Sequence, residues 1–188
     1  MSRPSVIGTI NKTPTLIGNK ARLRPKHLKD VANDYKWRTD TELCHLDAAL
    51  PIPVSFEQYT RNYIEELTYP SKACCLAIET IDGKHIGNCS YFKIDDSKRE
   101  AELGIMIGDK AYWDQGYGTD VIQTLLNHIF LQTSIQRVYL KTLDWNKRAH
   151  QCFKKCGFVP CGSLINGSYH FIIMEIQRPL KLKKPPKW

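Results

Sequence analysis

The sequence predicts an α+β fold, a mixed and mostly antiparallel central sheet flanked by about four helices. Three observations predict it. Short strand-like runs outnumber helical ones, and two pairs of them turn back at Asp82-Gly83 and Asn166-Gly167, which marks hairpins. The order reads strand, two helices, three strands, helix, strand, helix, two strands, without the regular βαβα alternation of a doubly wound sheet. The strongest helical pattern places Val121, Ile122, Leu125, Leu126, Ile129 and Phe130 on one face, which suits a helix covering a sheet.

Taken in order, Leu16 to Arg24 reads as a first strand stopped by Pro25, and His27 to Arg38 as a short helix. Ser55-Phe-Glu-Gln has the form of a capping box, and Phe56, Tyr59, Tyr63, Ile64 and Leu67 follow at helical spacing until Pro70. Ala73 to Thr80 and His85 to Ile94 form the first hairpin, and Glu100 to Gly108 is a further strand. Gly116-Tyr-Gly118 then opens the strong helix, and Arg137 to Leu143 is another strand. Asn146 caps a short helix with Ala149, Cys152, Phe153 and Cys156 on its apolar face and Gly157 as its stop. The chain ends in the second hairpin. No repeat or linker interrupts it, so residues 15–177 read as one domain with basic extensions at 1–14 and 178–188.

Composition narrows the function classes. Hydrophobic residues make up 42% and charged residues 24% of 188, ordinary globular values that exclude a disordered or collagen-like chain. No apolar run reaches the roughly 18 residues of a membrane span, and Met1 to Ile10 lacks a continuous hydrophobic stretch, so a soluble cytoplasmic protein is expected. The net charge of +8 belongs to the ends. Residues 1–26 and 178–188 hold eleven of the 27 basic residues and no acid, leaving sixteen basic against 19 acidic between them. The tails therefore read as solvated termini, and nucleic acid is an unfavoured partner. The seven cysteines include no C-x-x-C, which argues for reduced thiols. Cys152 and Cys156 lie four apart but share a face with Ala149 and Phe153, so they are assigned to the core and no metal is assigned.

One segment carries chemistry. A strand, a glycine turn and a helix N-terminus make an anion site by geometry, because consecutive amides point into one concavity and the helix dipole adds about half a positive charge. The amides of Gly116, Tyr117, Gly118 and Thr119 are the natural donors. No lysine follows in Walker fashion, and two glycines are too few for a dinucleotide fingerprint. Taken alone, the turn fits a structural connection as well as a phosphate cradle.

Lys110-Ala-Tyr-Trp-Asp-Gln-Gly-Tyr-Gly-Thr, followed by Asp144-Trp-Asn-Lys-Arg-Ala and Phe153-Lys-Lys-Cys-Gly-Phe158, resembles the GNAT superfamily of acyl-CoA-dependent N-acetyltransferases. Arg22-Leu-Arg-Pro, Trp37-Arg-Thr-Asp and Ala101-Glu-Leu-Gly extend the resemblance toward its RimJ/RimL-like branch, over roughly residues 15–177. It implies a GNAT-like three-layer α/β/α fold and acetyl-CoA as co-substrate. It also implies a diphosphate loop at Gln115, Gly116, Tyr117, Gly118 and Thr119, with Trp113 departing from the family's first loop position. Ile105, Met106 and Ile107 would pair with the pantetheine arm in the gap between two splayed strands, and Asn146 would bind near it or cap its helix, or both.

The implied reaction is direct attack of a neutral amine on the thioester. The amide of Met106 or Ile107 is the candidate oxyanion donor. Glu102 shares strand parity with Met106 and is the candidate base, acting through water, unless it is a plain ion-paired strand residue. Phe153 stands where many members have a tyrosine acid and Ala149 where RimL-like members often have serine, which leaves the thiolate without an obvious proton donor. Trp37, Asp40, the Ser55–Leu67 helix and Tyr91 are the candidates for binding the amine, with core packing the alternative for the two aromatics. The expected function is acetyl transfer to a primary amine, either a protein N-terminus or a small amine such as a polyamine. The alternatives are an acyl-CoA-binding sensor or scaffold without turnover and, last, a nucleic-acid module. No membrane partner is expected, and a homodimer is left open.

Overall fold

The first strand breaks where the sequence reads as continuous. In the computed structural model, which describes residues 14–179, β1 (Leu16–Ile17) and β2 (Ala21–Pro25) are separated by a turn at Gly18 to Lys20. A carboxylate from a distant helix holds that turn: Asp120 accepts from the amides of Asn19, Lys20 and Ala21 at 2.9–3.1 Å. The predicted helix at His27 to Arg38 begins as a 3-10 turn (Leu28–Asp30) and continues as α1 (Val31–Thr39). A further helix, α2 (Thr41–Leu46), is absent from the sequence reading; Asp40 caps it by accepting from the Leu43 amide. α3 (Phe56–Thr68) starts at Ser55 as expected, but the capping box stays half closed. Ser55 accepts from the Gln58 amide, while the Gln58 side chain donates to Asn62 instead.

The remaining elements follow the predicted order. They are β3 (Cys74–Thr80), β4 (His85–Asp95), β5 (Glu100–Ile107), α4 (Tyr117–Gln132), β6 (Arg137–Leu143), α5 (Lys147–Lys155), β7 (Val159–Asn166) and β8 (Tyr169–Gln177). The eight strands form one sheet in the order β1-β2-β3-β4-β5-β6-β8-β7. Every neighbouring pair is antiparallel except β5 and β6, which α4 connects. That parallel pair is short. It runs from Glu100↔Arg137 to Glu102↔Tyr139 and stops, so the second half of β5 has no strand on its β6 side. The fold class is thus a mixed sheet with five helices, rather than about four, on its two faces.

α4 and α5 cover one face. Val121, Ile122, Leu125 and Ile129 of α4 and Phe153 of α5 pack with Leu23, Ile78, Leu103, Val138 and Met174 from the strands. Each such buried side chain contributes roughly 1.5–3 kcal/mol. The other face carries α1, whose Asp34 accepts from the Asn88 side chain of β4 at 2.6 Å, and α3, which packs on α1 through Tyr35, Phe56 and Tyr59.

Trp37 and Tyr91 belong to this packing, which corrects their assignment to the amine. Trp37 is 4% exposed, its ring occupies the space a Cβ on Gly108 would need, and it meets His85 edge-on at 4.8 Å. Tyr91 is 8% exposed on the opposite face, against His128 of α4. No helix among the described residues is long and apolar enough to cross a membrane. The predicted tails at 1–14 and 178–188 lie almost wholly outside the described residues.

Candidate active site

The geometry of the site starts at the head of α4. Gly116 sits in the left-handed region (φ 83°, ψ 0°), a conformation that costs a residue with a Cβ about 1 kcal/mol or more, and this turns the chain from the loop into the helix. The first helical bond is Asp120 N–H to the Gly116 carbonyl at 3.1 Å, and no side chain caps the helix. The amides of Tyr117, Gly118 and Thr119 therefore have no hydrogen-bond partner among the described residues. The Asp120 carboxylate does not fill the concavity, because it is spent on the β1–β2 turn. Gln115 turns its side chain back onto the Ala111 carbonyl, so of the five predicted loop residues four line the cleft and Gln115 does not.

The open edge of β5 forms the second wall. The Arg99 carbonyl accepts from β6-side amides of Gln136 and Arg137, and at the other end the Gly108 amide donates to Ile86 at 2.9 Å on the β4 side. Strand alternation between these two points directs the main-chain groups of Ile105 and Ile107 toward the gap and those of Met106 toward Asn88 of β4. Of the two candidate oxyanion donors, the gap thus receives the amide of Ile107, and Met106 contributes only its side chain. The Ile107 carbonyl is already taken by the Trp113 indole at 2.7 Å, which fixes that aromatic where the family's diphosphate loop begins.

α5 closes the third side. Asn146 accepts from the Ala149 amide through Oδ1 at 3.2 Å, so it does cap the helix, and it also lines the cleft. Phe153 packs edge-on against Phe158 at 6.0 Å and carries no proton to give; Ala149 also lines the cleft. Cys152 packs against the core as expected and also lines the cleft, with its sulfur 3.6 Å from the Thr119 hydroxyl. Hydrogen bonding with the Cys156 thiol, and secondarily with Thr119, pulls its pKa down against the opposing effect of burial. Arg148 lies flat over Trp113 at 3.6 Å and, with Lys155, gives this wall positive charge. Among the described residues no group of three or more His, Cys, Asp or Glu is arranged to hold a metal ion.

These walls enclose a cleft of about 240 Å³ whose fourth side is α2, through Leu43, Leu46 and Asp47. Sequence reasoning missed that side. Glu102, although on the same sheet face as Met106, is four residues and about 13 Å down the strand and does not line the cleft. It is 7% exposed and its Oε2 holds Lys93 at 2.7 Å and Lys141 at 3.2 Å. Asp40 is likewise engaged: the Leu43 amide and Lys110 hold its carboxyl below the usual range. The α3 helix faces α1 and contributes nothing to this cleft.

Comparison with known proteins agrees with this geometry. The family described as an acetyltransferase (GNAT) domain matches residues 20–159. Among solved structures, a spermidine N-acetyltransferase from Vibrio cholerae in complex with CoA and spermine is similar at a TM-score of 0.74 and 21% identity, covering 84% of this chain and 95% of that one. The microcin C7 self-immunity acetyltransferase MccE, in complex with acetyl-CoA and AMP, is similar at 0.73 and 22%, covering 90% and 99%. The aminoglycoside acetyltransferase AAC(6')-Ib, in complex with coenzyme A, is similar at 0.69 and 16%, covering 84% and 95%. With a family match spanning most of its length, the chain belongs to the GNAT acetyltransferase family.

Proposed function

We propose that this protein transfers the acetyl group of acetyl-CoA to a primary amine, as a member of the RimJ/RimL-like branch. One observation carries the reading: three partnerless amides at the head of α4 and the unpaired edge of β5 open into the same cleft. The first suits a diphosphate, and the second suits an extended chain bearing amides, which is the chemistry of the CoA arm. Arg148 and Lys155 add charge for the remaining phosphate. Two of the similar proteins, a spermidine and an aminoglycoside acetyltransferase with CoA bound, agree with an amine acceptor.

The chain's own groups then have definite tasks. The unpartnered amides of Tyr117, Gly118 and Thr119 hold the diphosphate, and Asn146 and the edge of β5 align the arm. The Ile107 amide donates to the thioester oxygen as the amine nitrogen bonds to the carbonyl carbon. The carbon–sulfur bond breaks, CoA leaves as thiolate, and the nitrogen gives its surplus proton to water. Phe153 and Ala149 supply no acid, so the thiolate takes its proton from solvent.

Glu102 is read as an ion-paired residue rather than the base. Glu102→Gln is expected to leave the pH dependence of kcat and the affinity for CoA unchanged. It should lower the melting temperature by a few degrees at most, since the two lysines that lose their partner are themselves partly open to solvent. A pH–rate profile that loses its acidic limb in the variant would return Glu102 to the chemistry.

The missing acid also favours a second reading, a domain that binds acyl-CoA without turnover. Release of free CoA thiol across a panel of primary amines, with mass spectrometry for the gain of one acetyl group, separates the two. Binding of CoA with no acetylated product from any amine supports the sensor.

A further inference from the structure

Two local costs fall on consecutive residues at the end of α2. Asp47 is the C-terminal cap, where its carboxylate stands beside the negative carbonyl ends of the helix. Ala48 adopts φ 51°, the left-handed conformation that glycine supplies freely at such positions and alanine only at about 1 kcal/mol. The bonds Ala48 N–H to His45 and Ala49 N–H to Cys44, at 3.2 and 2.9 Å, hold the turn in that shape. Strain concentrated where a carboxylate enters a cleft points to a task for the carboxylate.

The surroundings define that task. Asp47 lines the cleft together with Met106 and Asn146, and it is the one carboxylate on the α2 wall. The other cleft carboxylate, Asp114, precedes the diphosphate turn. From Asn146 to Cys152, which touches the Gly118 position, α5 rises about 9 Å. His45 stacks on Trp145 at 4.7 Å and 18°, and no hydrogen bond or ion pair among the described residues joins α2 to residues 144–155. That ring pair ties the last turn of α2, which ends at Asp47, to the residue before Asn146. The carboxylate is half open to solvent through the cleft, and the α1 side gives it one distant ion partner, Arg38 at 3.4 Å. Partial burial pushes its carboxyl up by more than Arg38 lowers it. The cleft's cationic groups, Arg148 and Lys155, lie on α5, with Arg148 engaged on Trp113.

We propose that Asp47 is the acceptor-recognition residue, its carboxylate receiving the ammonium of an aliphatic primary amine; the ammonium gives one proton to water before its nitrogen attacks the thioester carbon, whose oxygen the Ile107 amide holds. The inference rests on reading the cleft as an acetyl-CoA site and deepens it by naming the acceptor class: an alkylammonium, charged at neutral pH, in preference to an arylamine. His45 and Trp145 are positioning residues for Asp47.

The test is calorimetric titration of n-butylamine hydrochloride, at neutral pH, into the CoA-saturated protein, with butan-1-ol as the uncharged counterpart. The wild type is expected to bind butylammonium at least about tenfold more tightly than butanol. Asp47→Asn should weaken butylammonium about tenfold or more, the value of a charged hydrogen bond, with CoA affinity kept within about twofold. Asp47→Glu should retain most of the binding. For any amine the protein acetylates, Asp47→Asn should raise KM far more than it lowers kcat. Absence of butylammonium binding, equal binding of butanol, or unaltered binding in Asp47→Asn each overturns the proposal. Should CoA itself not bind, the cofactor reading fails, and the same titration on the free protein decides the role of Asp47 separately.

Discussion

Replacing Gly118 by proline is expected to weaken CoA binding about 100-fold or more while the protein still folds. The residue is the second of α4, within the first turn, where proline is tolerated because its missing N–H has no helical partner to lose. The lost amide is one of the three partnerless donors, and a hydrogen bond to a charged group is worth about 1.5–3 kcal/mol, or roughly 10- to 100-fold. Sterics add to this. Even a Cβ on residue 118 would stand 3.2 Å from the Cys152 sulfur, so a ring must push α4 and α5 apart. Calorimetry with CoA, alongside a thermal melt, checks both halves of the expectation. Normal CoA affinity in a folded variant would remove Gly118 from the site.

The second large effect concerns what holds the α2 wall of the cleft in place. Arg24 of β2 makes a two-pronged bond to Asp30 at 2.8 Å on each arm and reaches Glu79 of β3 at 3.1 Å, all nearly out of water. This cluster fastens the start of α1, and hence α2, to the sheet. Asp30→Asn keeps the volume but leaves a buried guanidinium underpaired, at a cost of about 3–5 kcal/mol. For a chain of this size that lowers the melting temperature on the order of 10 °C. Burial alone would push the Asp30 carboxyl up, but Arg24 and the His27 amide outweigh it and hold it below the usual range. A carboxyl lowered in the folded state stabilises fully above its unfolded value and loses that contribution as pH falls toward the folded one. Wild type should therefore lose stability in acid below about pH 4, the ordinary carboxylate value, and Asp30→Asn should lose less over the same range. Parallel acid unfolding curves for the two proteins would contradict this.

Much of the arrangement is legible in the residues because it is local. Glycines at the hairpins and at position 116, the capping Asn146 and the apolar stripe of α4 each act within a few positions of themselves. What stayed hidden depends on distant neighbours. α2 spans six residues, too short for a period to show, and its cap Asp40 looks like any polar residue after Trp37-Arg-Thr. Trp37 and Tyr91 are aromatic in either role, and only the close approach at Gly108 and the contact with His128 decide that they are core. The direction of the Met106 amide is set by register against β4, which no single strand displays. Glu102 has the predicted parity, but its lysine partners come from a residue nine positions away and another on β6. Asp47 had a signal in principle, an acid followed by alanine where a helix must stop, but without α2 there was no helix to end.

The most direct test of the account is an ¹⁵N–¹H correlation spectrum recorded while CoA is added to the labelled protein. The three free donors predict that the amide resonances of Tyr117, Gly118 and Thr119 shift strongly at one equivalent of CoA, together with that of Ile107 on the open edge of β5. Saturable CoA binding that leaves those four resonances in place would contradict it.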